Sequence, residues 1–412
     1  MGNWIKIALR NLYKNKRRSA ATLIAIGIGF AAISLFSGYT DRIYEAIRSR
    51  AIQGEGLGHL TIYKQGWLDK GRFEPAAYMF NEKEINAIIA LTGQDPEVLL
   101  STPQLNVSGL ASNGQVSTIF IGHGVVPEDF NIIRGDLGTI EPDKGEMLSG
   151  EKSYGVEMSL DLADILKLGL NQDGVIMGTT LDGQMNAMDF EVSALFDTGA
   201  SATNDKFIRL PLPLAQSFYD THSADRIVLL LKDWTQTDAM RQRLTRKLAA
   251  AGLPCEIKTW RELSQFYLKV KGMFDLIFMF ILLIVMIIVV MSIVNTMAMT
   301  VVERTREIGT LRAIGLKRRG VNMIFSLEGM MLGAMGCVLG GLINTAVRIG
   351  INAMHITYVP PGNSAPVPLI INFMPQLMLA LIGFMVVLAL ISAVIPARRA
   401  AKQNVVLALG HS

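Results

Sequence analysis

The chain has 412 residues, 50% of them hydrophobic, and a formal net charge of +4. That is too apolar for an ordinary soluble domain and too polar for an all-membrane bundle, so a few spans plus one sizeable soluble domain are expected. The basic residues gather beside apolar segments, a pattern that orients membrane proteins rather than one that grips nucleic acid. Of the two cysteines, Cys255 falls in the soluble region and Cys337 in an apolar segment, which argues against a disulfide, and no Cys/His spacing of the metal-binding kind is present.

Residues 1–18 carry Lys6, Arg10, Lys14, Lys16, Arg17 and Arg18 and no acid, with Trp4, Ile5, Ala8, Leu9 and Leu12 at helical spacing. They read either as an amphipathic helix on the cytoplasmic leaflet or as a plain positive-inside anchor. Residues 19–40 are uncharged and long enough to be the first span, with Gly27, Gly29, Ala31 and Ala32 available for close helix contact. A cleavable signal peptide is not expected, since no small-residue cleavage site clearly follows.

Residues 41–272 change character, with charges of both signs and short apolar runs punctuated by Gly, Pro and Asn. Strands are expected at His59–Tyr63, Ser117–Ile121, Phe190–Phe196 and Arg226–Leu231, and helices at Glu82–Leu91, Ser159–Leu166 and Thr237–Ala251. This is a mixed α/β domain on the far side of the membrane, with the Gly-rich stretch around 135–205 a candidate second subdomain. Three more spans follow at 273–301, 320–347 and 372–395, with a Pro/Gly-rich outside loop at 348–371 and an inside tail at 396–412. The methionines of the second span, Met273, Met279, Met286, Met291, Met297 and Met299, read as packing or lipid-facing side chains rather than a copper path.

Between the second and third spans lies the charged stretch 302–319, flanked by apolar segments. Its excess of Lys and Arg assigns it to cytoplasmic water. In a helix from about 302 to 314, Ile308, Leu311 and Ile314 would form an apolar ridge, and Arg304, Arg306 and Arg312 could reach an acidic partner. Gly309 would allow backbones to approach, and Glu303–Arg306 and Arg304–Glu307 would brace the helix at i,i+3 spacing. On spacing alone this is either a docking element or an amphipathic loop resting on lipid headgroups. Glu328, a carboxylate about two turns into the third span, is expected to be structural, bonded to the charged stretch or a neighbouring arginine, with proton transport the rival reading. Phe36, Tyr39, Ile43, Tyr44 and Ile47 lie at helical spacing where the first span meets the soluble domain. They either face a substrate or pack against the second span.

No phosphate-binding loop, nucleophile elbow or zinc-protease helix occurs in the sequence. The chain is therefore read as a non-enzyme, with no catalytic, cofactor or metal site of its own.

Four blocks, in order, resemble the permease family that includes MacB, the lipoprotein-releasing LolC and LolE, and FtsX. They are Ala8-Leu9-Arg10-Asn11-Leu12 with Lys14–Arg18; Val301–Gly315 after Asn295; Glu328-Gly329; and Pro396–Ala401 with Leu407-Ala408-Leu409. Gly58–Ile62, Leu160–Gly169 and Ala194–Gly199 look like the LolC/LolE-type branch. The resemblance implies a membrane α-helical fold of four transmembrane helices. A large mixed α/β extracytoplasmic, MacB-like domain is inserted between helices 1 and 2. It implies that Glu303, Arg304, Thr305, Arg306, Glu307, Ile308, Gly309, Leu311, Arg312, Ala313, Ile314 and Gly315 belong to a coupling helix that sits in a groove of an ATPase. It further implies a separate ABC ATPase in two copies carrying ATP and Mg, and a second permease copy or paralogue. The setting is the bacterial inner membrane with both termini cytoplasmic. Lipoprotein release leads among the functions implied; efflux with a periplasmic adaptor and regulation of cell-wall hydrolases are the alternatives.

Overall fold

The computed structural model describes residues 16–135, 144–359 and 366–402. The basic stretch before residue 16, Pro360, Pro361 and Gly362, and the Leu407–Leu409 motif lie outside the described residues. In chain order come helix α1 (Lys16–Ser49), strand β1 (Leu60–Lys64), helix α2 (Glu82–Thr92) and strands β2 (Val98–Ser112) and β3 (Ser117–Val125). Strands β4 (Gly155–Ser159), β5 (Asp173–Thr179), β6 (Met185–Phe196), β7 (Phe207–Pro211) and β8 (Arg226–Leu231) follow, then helix α3 (Thr237–Ala250) and β9 (Cys255–Thr259). The chain continues with helices α4 (Gln265–Glu303), α5 (Thr305–Ala313), α6 (Arg318–Ala353) and α7 (Pro375–Lys402). It divides into two compact units: residues 44–269 with 357–367, and the remainder.

Four helices are long and apolar enough to cross a membrane, with mean hydropathy from 1.7 to 3.4 in their most apolar windows. The 39 residues of α4 extend about 58 Å, against roughly 30 Å of bilayer hydrocarbon. These helices outrun their apolar stretches because the flanking residues are good helix formers, such as Glu45, Ala46 and Arg48 in α1. The segment 348–353, expected as loop, is the last turn and a half of α6. Within it the Asn352 side chain donates to Ile371 O at 3.1 Å and accepts from Ile371 N at 3.0 Å.

In the helical unit, α4 buries Val285, Val289, Ile293, Met297 and Val301, one residue per turn on a single stripe. Its other side exposes Leu276, Met279, Phe280 and Met291, so the methionines divide between packing and an outward apolar surface. With no hydrophobic drive between helices in lipid, close packing of small residues and interhelical hydrogen bonds must hold them. A Cβ on Gly333 would meet Ala389 Cβ at 2.6 Å, and one on Gly340 would meet Gly27 O at 2.5 Å. Ala32, also expected at a contact, is not so placed: it is exposed. Thr22 and Thr296 share a hydroxyl–hydroxyl bond of 2.6 Å between α1 and α4.

The α/β unit is built on one long strand. The first half of β2 pairs with β8, its second half with β3, and its last residues also with β5. The ladder β2–β3–β7–β4–β6–β5 thereby returns to β2 and closes on itself. Its inward side chains, among them Val107, Phe120, Met158, Ile176, Phe190 and Ile208, form one core. On the other side of β2 the order is β8–β1–β9. Strand β8 is buried on both faces, which explains its unbroken apolar run. Ile227, Leu229 and Leu231 pack with α2 and α3, while the alternate residues Val228 and Leu230 pack with Ile52, Ile133 and Trp260. Helix α2 opens on a capping box between Asn81 and Glu84.

One charged cluster is sealed inside this unit. Arg134 and Arg209 both bond Glu157 Oε2, the latter at 2.6 Å, and Leu148 N donates to Oε1 at 3.2 Å. Burial pushes the Glu157 carboxyl up, but Arg209 and Arg134 pull harder and hold it below the usual carboxylate range. Burial lowers Arg209 to about 10, opposed by Glu157. Its guanidinium lies 4.2 Å from the Phe130 ring centroid and 4.6 Å from that of Phe196. Removing one member of such a set strands a buried charge, so it acts as a rigid clamp.

Candidate functional site

The segment joining α4 to α6 is a break at Arg304, one short helix and a turn, rather than the single helix expected from about 302 to 314. Arg304, at φ −109° and ψ 15°, breaks the helical run. Helix α5 then runs from Thr305 to Ala313 and ends before Gly315, whose φ of +105° suits a residue without a Cβ. The break is bridged: Thr305 Oγ1 donates to Val301 O at 3.0 Å and Ile308 N to Arg304 O at 2.9 Å.

The Arg304 side chain makes the key contacts. Its Nε donates to Glu307 Oε2 at 2.8 Å and its Nη1 to Glu328 Oε1 at 3.0 Å. Glu328 is 1% exposed, whereas the Glu307 side chain is 54% exposed. One guanidinium therefore joins a carboxylate inside α6 to one on the open face of α5. A buried carboxylate at this depth requires such a partner. The other expected brace, Glu303–Arg306, is absent; Glu303 instead pairs with Arg18 of α1, tying the two helices together.

The expected apolar ridge is split. Ile308 is 4% exposed and belongs to the core of the helical unit, because α5 lies against α4 and α6 on that side. Leu311 at 42% and Ile314 at 80% exposure face outward, with Val302 at 58%. Arg306, Ala313 and Gly315 are exposed, Thr305 is buried and Arg312 half-buried. Gly309 is buried too.

Phe36 and Tyr39 are half-buried, with ring centroids 6.1 and 6.2 Å from that of Phe274 in α4. Ile43 is half-buried. Tyr44 lies edge-on to Tyr267 at 6.1 Å and Ile47 is buried. Among the described residues no three His, Cys, Asp or Glu side chains converge as a metal site. Cys255 and Cys337 are free thiols; burial pushes the Cys255 thiol up to about 11. Sequence reasoning had no signal for the Arg18–Glu303 pair, since its partners lie 285 residues apart.

Two family models match. Residues 19–247, more than half of the chain, match the MacB-like periplasmic core domain, and residues 279–405 match the FtsX-like permease C-terminal region. Among relatives, ABC transporter permease YtrF of Bacillus subtilis is 34% identical over 120 residues, 28% of this chain and 27% of YtrF. The macrolide export ATP-binding/permease protein MacB of Azoarcus sp. is 23% identical over 98% of this chain and 58% of MacB. The lipoprotein-releasing system transmembrane protein LolC of Xylella fastidiosa is 22% identical over 97% of this chain and 96% of LolC. The chain thus spans about a quarter of YtrF and little more than half of MacB. With both family models matched in order along it, the chain belongs to the MacB/FtsX/LolC family of ABC transporter permeases.

Proposed function

We propose that this chain is the transmembrane subunit of a mechanotransmission ABC transporter whose ATPase is a separate chain present in two copies. The α4–α6 turn is the docking point. ATP and Mg act on the ATPase, and its closure displaces α5. Arg304 carries that displacement to Glu328 and hence to α6, while Glu303–Arg18 carries it to α1. The observation that bears this reading is the division of labour on α5: Ile308 and Arg304 hold it to the bundle, while Leu311 and Ile314 present apolar surface to water.

In the topology we infer, α1, α4, α6 and α7 cross the bacterial inner membrane. The turn and the segments flanking α1 and α7 are cytoplasmic, and the α/β unit is an extracytoplasmic insertion between the first two spans. The basic residues at the α1 start, the turn and the end of α7 support it through the positive-inside rule. Two permease copies, or this chain and a paralogue, complete the assembly.

The cargo is an amphipathic molecule, with lipoproteins first; the near end-to-end match with LolC supports that class. Macrolide-type efflux with a periplasmic adaptor is the second reading, supported by the match with MacB over 98% of this chain. Co-purification with the ATPase and its stimulation by Leu311→Asp and Ile314→Asp variants test the coupling. Both are expected to fall at least about tenfold while the chain stays folded; wild-type stimulation would refute docking at α5. In-cell crosslinking from the α/β unit separates the cargo readings, recovering lipidated proteins under the first and an adaptor under the second.

A further inference from the structure

The α/β unit contains a cavity of about 740 Å³, a volume typical of small-molecule sites. Its walls come from Tyr63 of β1, Trp67 and Leu68 just after it, Asn106 and Ser108 of β2, and Leu181 and Tyr219. The lining is mixed: aromatic and aliphatic groups at Tyr63, Trp67, Leu68 and Leu181 alternate with polar ones at Asn106, Ser108, Thr179 and Thr180.

One of those polar groups is incompletely satisfied. Asp225, 1% exposed, lines the cavity. Its Oδ1 accepts Asn106 N at 3.2 Å, but its Oδ2 is buried with no hydrogen-bond partner among the described residues. The adjacent Arg226 does not supply the missing donor, because its Nε goes to Gln104 Oε1 at 3.2 Å and its Nη2 to Asn106 Oδ1 at 2.7 Å. Burial raises the Asp225 carboxyl, only partly offset by Arg226 and the Asn106 N–H. His123, across from Asn106 in the β2–β3 ladder, also lines the cavity; burial, with Arg226 and Arg209 adding to it, keeps its imidazole neutral. Arg72, the other charged side chain on the wall among the described residues, is exposed and screened by water.

A buried carboxylate oxygen lacking a donor calls for one from outside the chain. The aromatic rings that line the cavity, Tyr63, Trp67 and Tyr219, favour a positively charged head group, and the part of the wall made by Trp67, Leu68 and Leu181 favours an apolar body. We propose that this cavity binds a small amphipathic amine, whose N–H donates to Asp225 Oδ2 and whose apolar body lies against Trp67, Leu68 and Leu181. This site is independent of the ATPase-coupling reading, since binding to the chain alone suffices.

The test is equilibrium dialysis of the full chain in nanodiscs with 4-phenylbutylamine, using 4-phenylbutyrate and 4-phenylbutanol as probes with the same body. Empty nanodiscs correct for partition into lipid. Saturable binding of the amine is expected, at least about tenfold tighter than that of the acid. Asp225→Asn should weaken it about tenfold, and Ser108→Trp, at an exposed position on the cavity wall, should abolish it by filling the space. If Asp225→Asn fails to fold, Ser108→Trp decides alone. Absence of saturable amine binding, equal affinity for the acid, or wild-type affinity in the folded variants would overturn the proposal.

Discussion

Each unit of this protein buries a carboxylate against arginine, and the two differ in what lies on the far side of the guanidinium. In the α/β unit, Glu157 meets Arg134 and Arg209, both of which are themselves buried. Every partner among the described residues is internal, so the set holds. In the helical unit, Glu328 meets Arg304, whose side chain is 18% exposed and whose second bond is to the exposed Glu307. A force applied to α5 from outside therefore reaches a buried group in α6 through a single side chain. The same chemistry makes a clamp in one place and a linkage in the other.

The sharpest way to break the comparison is Glu157→Ala, which leaves two guanidiniums buried without their carboxylate. Loss of about 3–5 kcal/mol is expected, read as accelerated hydrogen exchange in β4 and β7 of the full chain in nanodiscs. Exchange like the wild type would mean that the cluster is not a clamp.

A second fixed group in the same unit gives a pH signature. His59 Nδ1 accepts Leu231 N at 2.9 Å, so the folded state needs the imidazole neutral. Burial, with Arg48 adding to it and Asp233 opposing, lowers it from 6.5 to about 4. Between those values the unfolded chain binds the extra proton. This stabilisation is complete above pH 6.5, falls as pH drops towards 4 and is gone below it, a loss of up to about 3 kcal/mol. Unfolding measured across that window should show this slope, and His59→Gln should flatten it.

Arg304→Met is expected to cost less, about 1–3 kcal/mol, because water reaches its side of the pair. Its ATPase stimulation should nevertheless fall further than that of Glu157→Ala; equal losses would erase the distinction between linkage and clamp. Ile314→Asp is expected to shift the thermal midpoint least, by the equivalent of less than about 0.5 kcal/mol, because the side chain touches little. A large drop would place Ile314 in the fold rather than at a docking face.

The legible parts of this chain were those with local causes. The run Arg226–Leu231 is a strand with those bounds, and β6 starts at Met185, five residues before the expected Phe190, because its first five residues alternate between exposed and half-buried and carry no buried apolar run. The Arg304–Glu307 contact follows from helical spacing. Spacing could not tell which side of α5 is covered, so Ile308 was grouped with Leu311 and Ile314 although the bundle takes it inward. Glu157 gave no signal either, since its arginines lie 23 and 52 residues away. Asp225 was equally silent, for an unpartnered oxygen exists only once the strands are assembled.

The central claim is that the outer face of α5 meets a protein rather than lipid headgroups. A photo-crosslinking amino acid placed at position 314, with position 291 on the exposed face of α4 as the lipid-facing reference, tests it in native membranes. The account predicts an adduct with an ABC ATPase subunit from position 314 and lipid adducts from position 291. Lipid adducts alone from both positions would contradict it.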